Sequence, residues 1–350
     1  MFGEMEGLVH EKPPGPQKGW GREGSTLGAN PYLLIIPLAR RCRQWGMLTA
    51  LRLTPPGLGV YLKPMRKLGK SSSSGAIIIL RQMEKHEWIF KFPRITEKVD
   101  DRLEEGIDWI DADPKRAASI FMNLVDEYPE HMDAYHHLAL TLEQMGKKEE
   151  AFATWKLAID TALKLFPAHF SMEQDRLQWG FIENRPFLRL YHSFGLQLMK
   201  RGETETALEV FEHLVALSPN DNLGARALVV GCRFELKEPE GVLSVCRQFS
   251  DDAMEQLVYG KALALFQLGK VKEAREALDI ATKCYPLIAG ELLKTKHRRP
   301  NSVDDQRITL GGPDQAYVYW QDQGSYWTGT PGAIEFLRQH GSRKIRKREQ

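Results

Sequence analysis

The chain has 350 residues, 42% of them hydrophobic and 27% charged, with a net charge of +2 at pH 7. These values are typical of a soluble protein, and no apolar run reaches the roughly 18–20 residues that cross a bilayer. The charge is unevenly divided: residues 1–98 hold 16 Lys and Arg against 7 Asp and Glu, residues 99–340 hold 27 against 38, and residues 341–350 hold 5 against 1. Residues 99–340 carry a net negative charge and would repel phosphate groups. This argues against nucleic-acid binding outside the basic ends.

Four cysteines lie far apart in the sequence, at Cys42, Cys232, Cys246 and Cys284, with no Cys-x-x-Cys spacing. Three of them fall in predicted helices, where a reduced and buried thiol behaves as a small apolar side chain. This usage favours a reducing compartment over a disulfide framework, and we expect a cytoplasmic protein.

Residues 1–85 differ from the rest of the chain, because they are rich in Pro, Gly and Ser and show no sustained helical or strand periodicity. Between Gly24 and Met83 there is no acidic residue, against nine Lys and Arg. The composition favours a low-complexity extension that is disordered or mis-assigned, with the native start nearer Met65 or Met83. A basic targeting segment and a nucleic-acid or membrane-surface arm are the alternatives.

Residues 188–221 contain two amphipathic helical patterns in a row, which together are about 34 residues long. Gly202 follows the basic pair Lys200 and Arg201 and ends the first helix. Small side chains let the two helices approach each other, and aromatic side chains fill the space between them. The residues that carry this pattern are Tyr191, Gly195, Ala207, Phe211 and Pro219.

The same spacing recurs along the chain in steps of about 34 residues. It predicts five units within residues 95–290. The pattern resembles the tetratricopeptide repeat, and this resemblance implies an all-α fold, a right-handed α-solenoid of antiparallel helix pairs. The residues in matching positions of the other four units are Ala117 and Phe121; Tyr135, Gly146, Ala151 and Trp155; Ala225, Cys232 and Val245; and Ala262, Gly269, Ala274 and Leu278.

An insertion at residues 165–186 departs from the repeat, because Ala151 and Ala207 are about 22 residues further apart than one period. The pattern predicts that the second helix of unit two extends to about Lys164 and is followed by a loop rich in aromatic residues. We expect these side chains to pack against the neighbouring unit, and a functional lip on the groove is the alternative. The aromatic residues are Phe166, Phe170, Trp179 and Phe181.

After Pro286 the period stops. Residues 287–293 predict one more helix, residues 291–309 a basic linker, residues 310–340 a helical hairpin and residues 341–350 a basic tail. Such a hairpin would cap the open end of the array, which a solenoid needs for solubility, and an aromatic ligand box is the alternative. The aromatic residues of the hairpin are Tyr317, Trp320, Trp327 and Phe336.

This C-terminal part combines a basic stretch ending at Pro300 with Ala-Tyr-Val-Tyr-Trp at 316–320 and Thr-Pro-Gly-Ala at 330–333. The combination is similar to the tail of uncharacterised tetratricopeptide proteins. More distantly, it resembles the suppression-of-tumorigenicity family. Neither resemblance implies a known chemistry for the motif.

The repeat resemblance implies a protein–protein interaction scaffold or adaptor, whose concave groove binds a peptide or helix of a partner protein. By repeat position, the groove changes from acidic and histidine-bearing, through arginine-bearing, to apolar. We therefore expect a partner segment with a mixed surface. The predicted partner-binding residues are His136, Leu140, Glu143, Arg189, His192, Leu196, Met199, Arg226, Arg233, Tyr259 and Phe266.

The alternative function is an enzyme, or the regulatory subunit of one, that uses the histidine-bearing groove and the aromatic insertion. His136 and His192 occupy the same position in adjacent units, and His131 and His137 lie nearby in the sequence. A metal site would need a further ligand, and no His-x-x-x-His or Cys-x-x-Cys core is present. The sequence also contains no phosphate-binding loop and no Gly-x-Ser-x-Gly elbow. We therefore predict no catalytic residue, metal or cofactor.

Overall fold

The computed structural model describes residues 78–301 and 308–341 of the chain. The predicted extension up to residue 77, part of the linker and nearly all of the basic tail lie outside these residues. The described chain begins with strands β1 (Ile79–Glu84) and β2 (Glu87–Lys91). The helices are α1 (Glu97–Asp108), α2 (Pro114–Glu127), α3 (Met132–Gln144), α4 (Lys148–Leu163), α5 (Arg185–Lys200), α6 (Thr204–Leu217), α7 (Ala225–Glu235), α8 (Pro239–Gln248), α9 (Glu255–Gln267), α10 (Val271–Cys284), α11 (Pro286–Leu292), α12 (Pro313–Gly329) and α13 (Ala333–Gly341).

Helices α1 to α10 form five pairs, and each helix packs against its partner and against the next helix along the chain. The five pairs confirm the predicted α-helical repeat fold. In four of the five pairs, the turn between the helices contains a residue with positive φ, which is Gly146 in the second unit, Gly202 in the third and Gly269 in the fifth. Glycine adopts this conformation without a steric penalty. The fourth unit uses Lys237 instead, at φ 60°.

A close contact between the two helices of a pair recurs in the first and third units. A Cβ atom added to Gly106 would lie 2.4 Å from Cε1 of Phe121, and one added to Gly195 would lie 2.7 Å from Cε1 of Phe211. Both phenylalanines are fully buried. The missing side chain on the first helix therefore makes room for the ring on the second, which fixes the approach of the two helices.

The β-hairpin is a structural element that the sequence analysis does not predict, since it places residues up to 85 in an extension without strands. β1 and β2 are antiparallel, with Leu80 opposite Phe90 and Gln82 opposite Trp88. Trp88 and Phe90 are buried, whereas five of the six residues of β1 are exposed. The buried side of the hairpin comes almost entirely from β2.

The insertion packs against this hairpin. The backbone N–H of Trp88 donates to the carbonyl of Arg176 at 2.9 Å, and the N–H of Arg176 donates to the carbonyl of His86 at 2.7 Å. The buried side chain of Asn184 accepts from the N–H of Phe90 at 3.0 Å and donates to the carbonyl of Trp88 at 3.1 Å. Aromatic rings add to the contact, with the ring of Phe170 centred 5.5 Å from that of Trp88. The insertion and the hairpin thus form one packed module beside the repeats.

The C-terminal helices lie in two different places. Helix α13 packs on α10, the last helix of the array, as a cap at that end would. Helix α12 packs on α11 and also contacts α7 and α9, which are the first helices of the fourth and fifth units. It continues to Gly329, and its own residues Tyr319 and Trp327 are buried. None of the helices in the described ranges is long and apolar enough to span a membrane.

Candidate functional site

The first helices of the units form one side of the array, which we call the first-helix face. It comprises α1, α3, α5, α7 and α9, and direct packing joins α1 to α3, α3 to α5 and α7 to α9. In a repeat array this is the surface that carries the predicted groove. The structure divides it into two parts. We call the part on α7 and α9, against which α12 packs, the filled section, and the part on α3 and α5 the open section.

Tyr259 and Phe266 lie in the filled section. Tyr259 is fully buried, and its ring centre is 5.4 Å from that of Tyr319 and 6.2 Å from that of Trp327. The ring of Phe266 stacks on that of Phe336 with centres 4.7 Å apart. These two predicted partner-binding residues therefore contact the C-terminal helices of their own chain, and the expectation that they line an open groove is wrong.

The side of α12 that is buried carries aromatic, amide and small residues, and one acidic residue in the first turn. Gln323 lies against Gly231 of α7, where an added Cβ would be 3.6 Å from its Nε2 atom. Tyr326, on a neighbouring side, stacks on Phe234 of α7 with ring centres 5.3 Å apart. The buried residues of α12 are Asp314, Gln315, Ala316, Tyr319, Gln323, Gly324 and Trp327.

Arg226 is buried in an ion-pair network, and not exposed on a groove as the sequence analysis expects. Its Nη1 lies 2.7 Å from a carboxylate oxygen of Asp221, and its Nε lies 2.6 Å from one of Asp252. Burial raises the pKa of Asp221, although Arg226 and two backbone N–H groups act in the opposite direction. The guanidinium also lies over the ring of Phe249. Arg226 thus joins the connection between units three and four to the connection between units four and five.

Arg233 is half-buried and its charge is matched by two glutamates. Its guanidinium donates to Glu238, at the start of the next helix, and to Glu212 on α6. These hydrogen bonds raise the pKa of Arg233, although partial burial lowers it. Arg233 thus joins three helices, which gives it a structural role that repeat position alone does not reveal.

The open section carries two ion pairs that link α3 to α5. Arg189 donates both hydrogen bonds of a bidentate pair to Asp133, each at 2.8 Å. Near the other end of the helices, Glu143 accepts from Lys200 at 2.5 Å and from Gln197 at 3.2 Å. Glu143 and Arg189, which the sequence analysis assigned to a partner, therefore each form an ion pair within the chain across the boundary between units two and three.

Apolar side chains lie between these two ion pairs. Leu140 is seven residues beyond Asp133, and Leu196 is seven beyond Arg189, so each leucine lies two turns along its helix on the same face. Leu140, Leu196 and Met199 are half-buried. The open section is therefore an apolar strip with a paired charge at each end.

Four histidines belong to the helices of the open section or directly precede them. His131, His136 and His192 are buried, and His137 is half-buried. Each has one ring nitrogen that is buried without a hydrogen-bond partner among the described residues. Burial lowers the pKa of His137 and His192 to about 4 and that of His136 well below its ordinary value, and neighbouring His137 and Arg189 lower the last further. The histidines are neutral at pH 7 and belong to the packed interior.

Two features of the described residues bear on the enzymatic alternative. In residues 78–301 and 308–341 there is no group of three or more His, Cys, Asp and Glu that could hold a metal ion. Burial raises the pKa of the Cys232 thiol to about 12 and that of Cys246 to about 11, which disfavours a reactive thiolate at either position. The third described cysteine, Cys284, is exposed.

The sequence analysis did not predict that α12 packs on the first-helix face. A signal was present, because Ala316, Tyr319, Gln323 and Trp327 follow one another at spacings of three and four residues. Such spacing indicates one buried side along the whole helix. The aromatic residues instead suggested a hairpin at the end of the array, because their sequence neighbours give no information on which repeat they contact.

These features define a class of protein: a helical-repeat protein of the tetratricopeptide type whose own C-terminal helix covers part of its first-helix face. The family model described as "Transcriptional repressor TCF25" matches residues 112–339, well over half of the chain. The chain belongs to this family. The match begins in the first repeat and ends in α13, so it spans the filled and the open section together.

Several solved structures are similar to the chain at low sequence identity. YrrB, described as a TPR protein with an unusual peptide-binding site, is 17% identical, with 54% of this chain and 93% of that chain covered and a TM-score of 0.37. PilF of Pseudomonas aeruginosa is 15% identical, with 69% and 98% covered and a TM-score of 0.39. A MamA double mutant is 16% identical, with 54% and 94% covered and a TM-score of 0.38. Because these TM-scores are low, the repeat fold is assigned from the five helix pairs themselves. No curated protein sequence matches the chain.

Proposed function

We propose that this protein is a non-enzymatic scaffold that binds a segment of another protein on the open section of its first-helix face. The observation that carries the proposal is the apolar strip of Leu140, Leu196 and Met199, which remains half-exposed on α3 and α5. The corresponding surface on α7 and α9 is covered by α12. The two sections lie on the same side of one array, and only one of them has an occupant among the described residues.

The partner-binding residues that we retain from the sequence analysis are therefore those of units two and three. Leu140, Leu196 and Met199 would contact the partner directly, and the ion pairs of Glu143 and Arg189 would border the contact. His136 and His192 would support the strip from below, because both are buried.

The family description supports a role in transcriptional repression, and hence in the nucleus in place of the cytoplasm. The described body is acidic, with 38 Asp and Glu against 27 Lys and Arg over residues 99–340. Direct contact of this body with DNA would be opposed by its charge. We therefore propose that it acts by holding another protein.

The test is an affinity isolation from nuclear extract with the full chain and with Leu196→Glu. Placing a carboxylate on the apolar strip costs the desolvation of a charge and removes apolar burial. We expect Leu196→Glu to lose a stoichiometric partner that the unchanged chain retains.

The matched control is Leu157→Glu, the same substitution on α4, where the leucine is 42% exposed on a second helix. We expect this variant to retain the partner. Equal retention by all three proteins, with each shown to be folded by circular dichroism, would contradict the assignment of the open section as the binding surface.

A further inference from the structure

We infer that the open section binds an amphipathic helix of another protein, through a side that carries aromatic, amide and small residues in place of charged ones. The inference rests on the proposed function and specifies the chemistry of the partner. It departs from the mixed-surface partner that the sequence analysis expects. Three observations support it: the pairing of charges on the open section, the seat of α12, and the distribution of exposed apolar residues in this chain.

The first observation is that the charges of the open section already have partners within the chain. Asp133 and Arg189 form a bidentate pair, and Glu143 binds both Lys200 and Gln197. A charged side chain of a partner would have to break one of these contacts or add to a pair that is already neutral. Neither change would contribute much to the free energy of binding, because an exposed or half-exposed ion pair contributes little. Apolar contact with the strip between the pairs is what remains.

The second observation is that the continuation of the same face already holds a helix. Helix α12 lies on α7 and α9 and buries Ala316, Tyr319, Gln323 and Trp327. The two aromatic rings of this set contact Tyr259. The one charged residue among the buried residues of α12 is Asp314, in its first turn, where it accepts from the backbone N–H of Thr309. The first-helix face thus accepts a helix on α7 and α9 through aromatic and amide side chains.

The length of the open section also suits a helix. Helix α3 has 13 residues and α5 has 16, which correspond to about 20 and about 24 Å of axis. Leu196 and Met199 lie one turn apart on α5, with Leu140 on α3, so a partner helix that places residues at spacings of three and four can contact them. An extended peptide would direct alternate side chains away from the strip.

The third observation argues against a described helix of a second copy as the occupant. Exposed large apolar residues on the described helices are isolated, as in Ile107 of α1, Met122 of α2 and Leu157 of α4. Val271 and Ile280 are both on α10, but nine residues separate them, so they point to opposite sides. The helices of residues 78–301 and 308–341 therefore include none with a free apolar stripe that a second copy could place on the open section.

The experiment uses a labelled synthetic peptide of residues 313–330, the sequence of α12, as a probe for the full chain. Fluorescence anisotropy is measured at 50 and 500 mM NaCl. We expect saturable binding whose Kd changes by less than about threefold between the two salt concentrations, because ionic contacts are screened by salt and apolar contacts are not. We expect Leu196→Glu to weaken binding by at least about tenfold, from the loss of one buried leucine contact.

Two controls make the result specific. The chain with Leu157→Glu should bind the peptide as the unchanged chain does. A peptide with Tyr319→Ala and Trp327→Ala should bind at least about tenfold more weakly, since it lacks both aromatic anchors. Binding of the probe that is indifferent to Leu196→Glu would mean that the peptide exchanges with α12 in the filled section, and this would overturn the inference.

Failure of the inference can be told apart from failure of the proposed function. If Leu196→Glu loses its cellular partner but the probe does not bind, or if the partner complex dissociates in 500 mM NaCl, the scaffold stands and the apolar-helix partner is wrong. Self-association of the full chain that Leu196→Glu abolishes would identify a second copy as the occupant and would also overturn the inference. If neither the probe nor a partner depends on Leu196, both proposals fail.

Discussion

Arg226 shows why the type of a residue and its position in a repeat do not reveal its role. The sequence analysis assigns Arg226 to a partner, because a first-helix arginine is expected to face the groove. In the structure its side chain is only 7% exposed and binds Asp221 and Asp252. Reversing its charge would bury unpaired carboxylates, so the variant could not separate binding from folding. Asp252 lies 26 residues away, and no periodic pattern predicts that contact.

Leu140 and Leu196 show the opposite outcome at the same scale. Their positions on the first helices follow directly from the 34-residue period, and both are half-exposed in the structure. The histidines of the same helices were also placed in the right units. Their burial was not predictable, because it depends on how closely α3 and α5 pack, and periodicity does not measure that distance.

The buried histidines predict that the protein loses stability in mild acid. His137 and His192 have pKa values of about 4 in the folded chain, against an ordinary value of 6.5. Between these two values the unfolded chain binds protons that the folded chain does not, so the free energy of unfolding falls as the pH falls. Each histidine contributes up to about 1.4 kcal/mol per pH unit within this window. About one pH unit above 6.5 and higher, they are neutral in both states and contribute little pH dependence.

The measurement is urea unfolding at pH 7.5, 6.5, 5.5 and 4.5, with His192→Asn as the comparison. The variant lacks one titrating group. We therefore expect its free energy of unfolding to fall less steeply below pH 6.5, by the contribution of up to one proton bound on unfolding, about 1.4 kcal/mol per pH unit. Burial raises the pKa of Glu130, which acts in the opposite direction, but this contribution is common to both proteins and cancels in the difference. Identical slopes would show that His192 is not buried as a neutral group.

At the scale of helices, the contact of Gly195 with Phe211 indicates that α5 and α6 pack too closely to accept a larger residue at position 195. An added Cβ would lie 2.7 Å from the ring, and a third atom, Cγ1 of Val210, would be 2.9 Å away. We expect Gly195→Ala to lower the free energy of unfolding by about 1–3 kcal/mol through overpacking. Thermal or urea unfolding checks this value.

Gly290 provides the control, since it is also a helical glycine but an added Cβ would meet no atom within 4 Å. Gly290→Ala should stabilise the protein by about 0.5–1 kcal/mol, because alanine loses less backbone entropy on folding. If Gly195→Ala were equally stabilising, the two helices of the third unit would be further apart than described.

Helices were the elements that the sequence predicted well, because ten amphipathic segments repeat the same spacing. Local residue preferences predicted the turn at Gly202 after α5 and the end of α4 next to Lys164. The β-hairpin was missed, since β1 is short, exposed and rich in polar residues, and its pairing with β2 is stabilised by an insertion about 90 residues away. A contact of that kind leaves no periodic trace in either segment.

The whole molecule combines a repeat array with two additions from outside the repeats. The hairpin and insertion form a module in which Asn184 bonds to the backbone of Trp88 and Phe90. Helix α12 packs on α7 and α9. The helices α3 and α5 therefore remain as the uncovered part of the first-helix face. The additions restrict the surface that five repeats would otherwise offer, and this restriction is what defines the open section.

The central claim is that a partner helix lies on the open section, and photo-crosslinking tests it most directly. Leu196 is replaced by photo-leucine, which preserves its shape, and the full chain is irradiated in nuclear extract beside a control with photo-leucine at position 157. We predict a crosslink from position 196, mapped by mass spectrometry to an amphipathic helical segment of one other protein, and none to that protein from position 157. A partner that crosslinks from position 157 and not from position 196 would contradict the account.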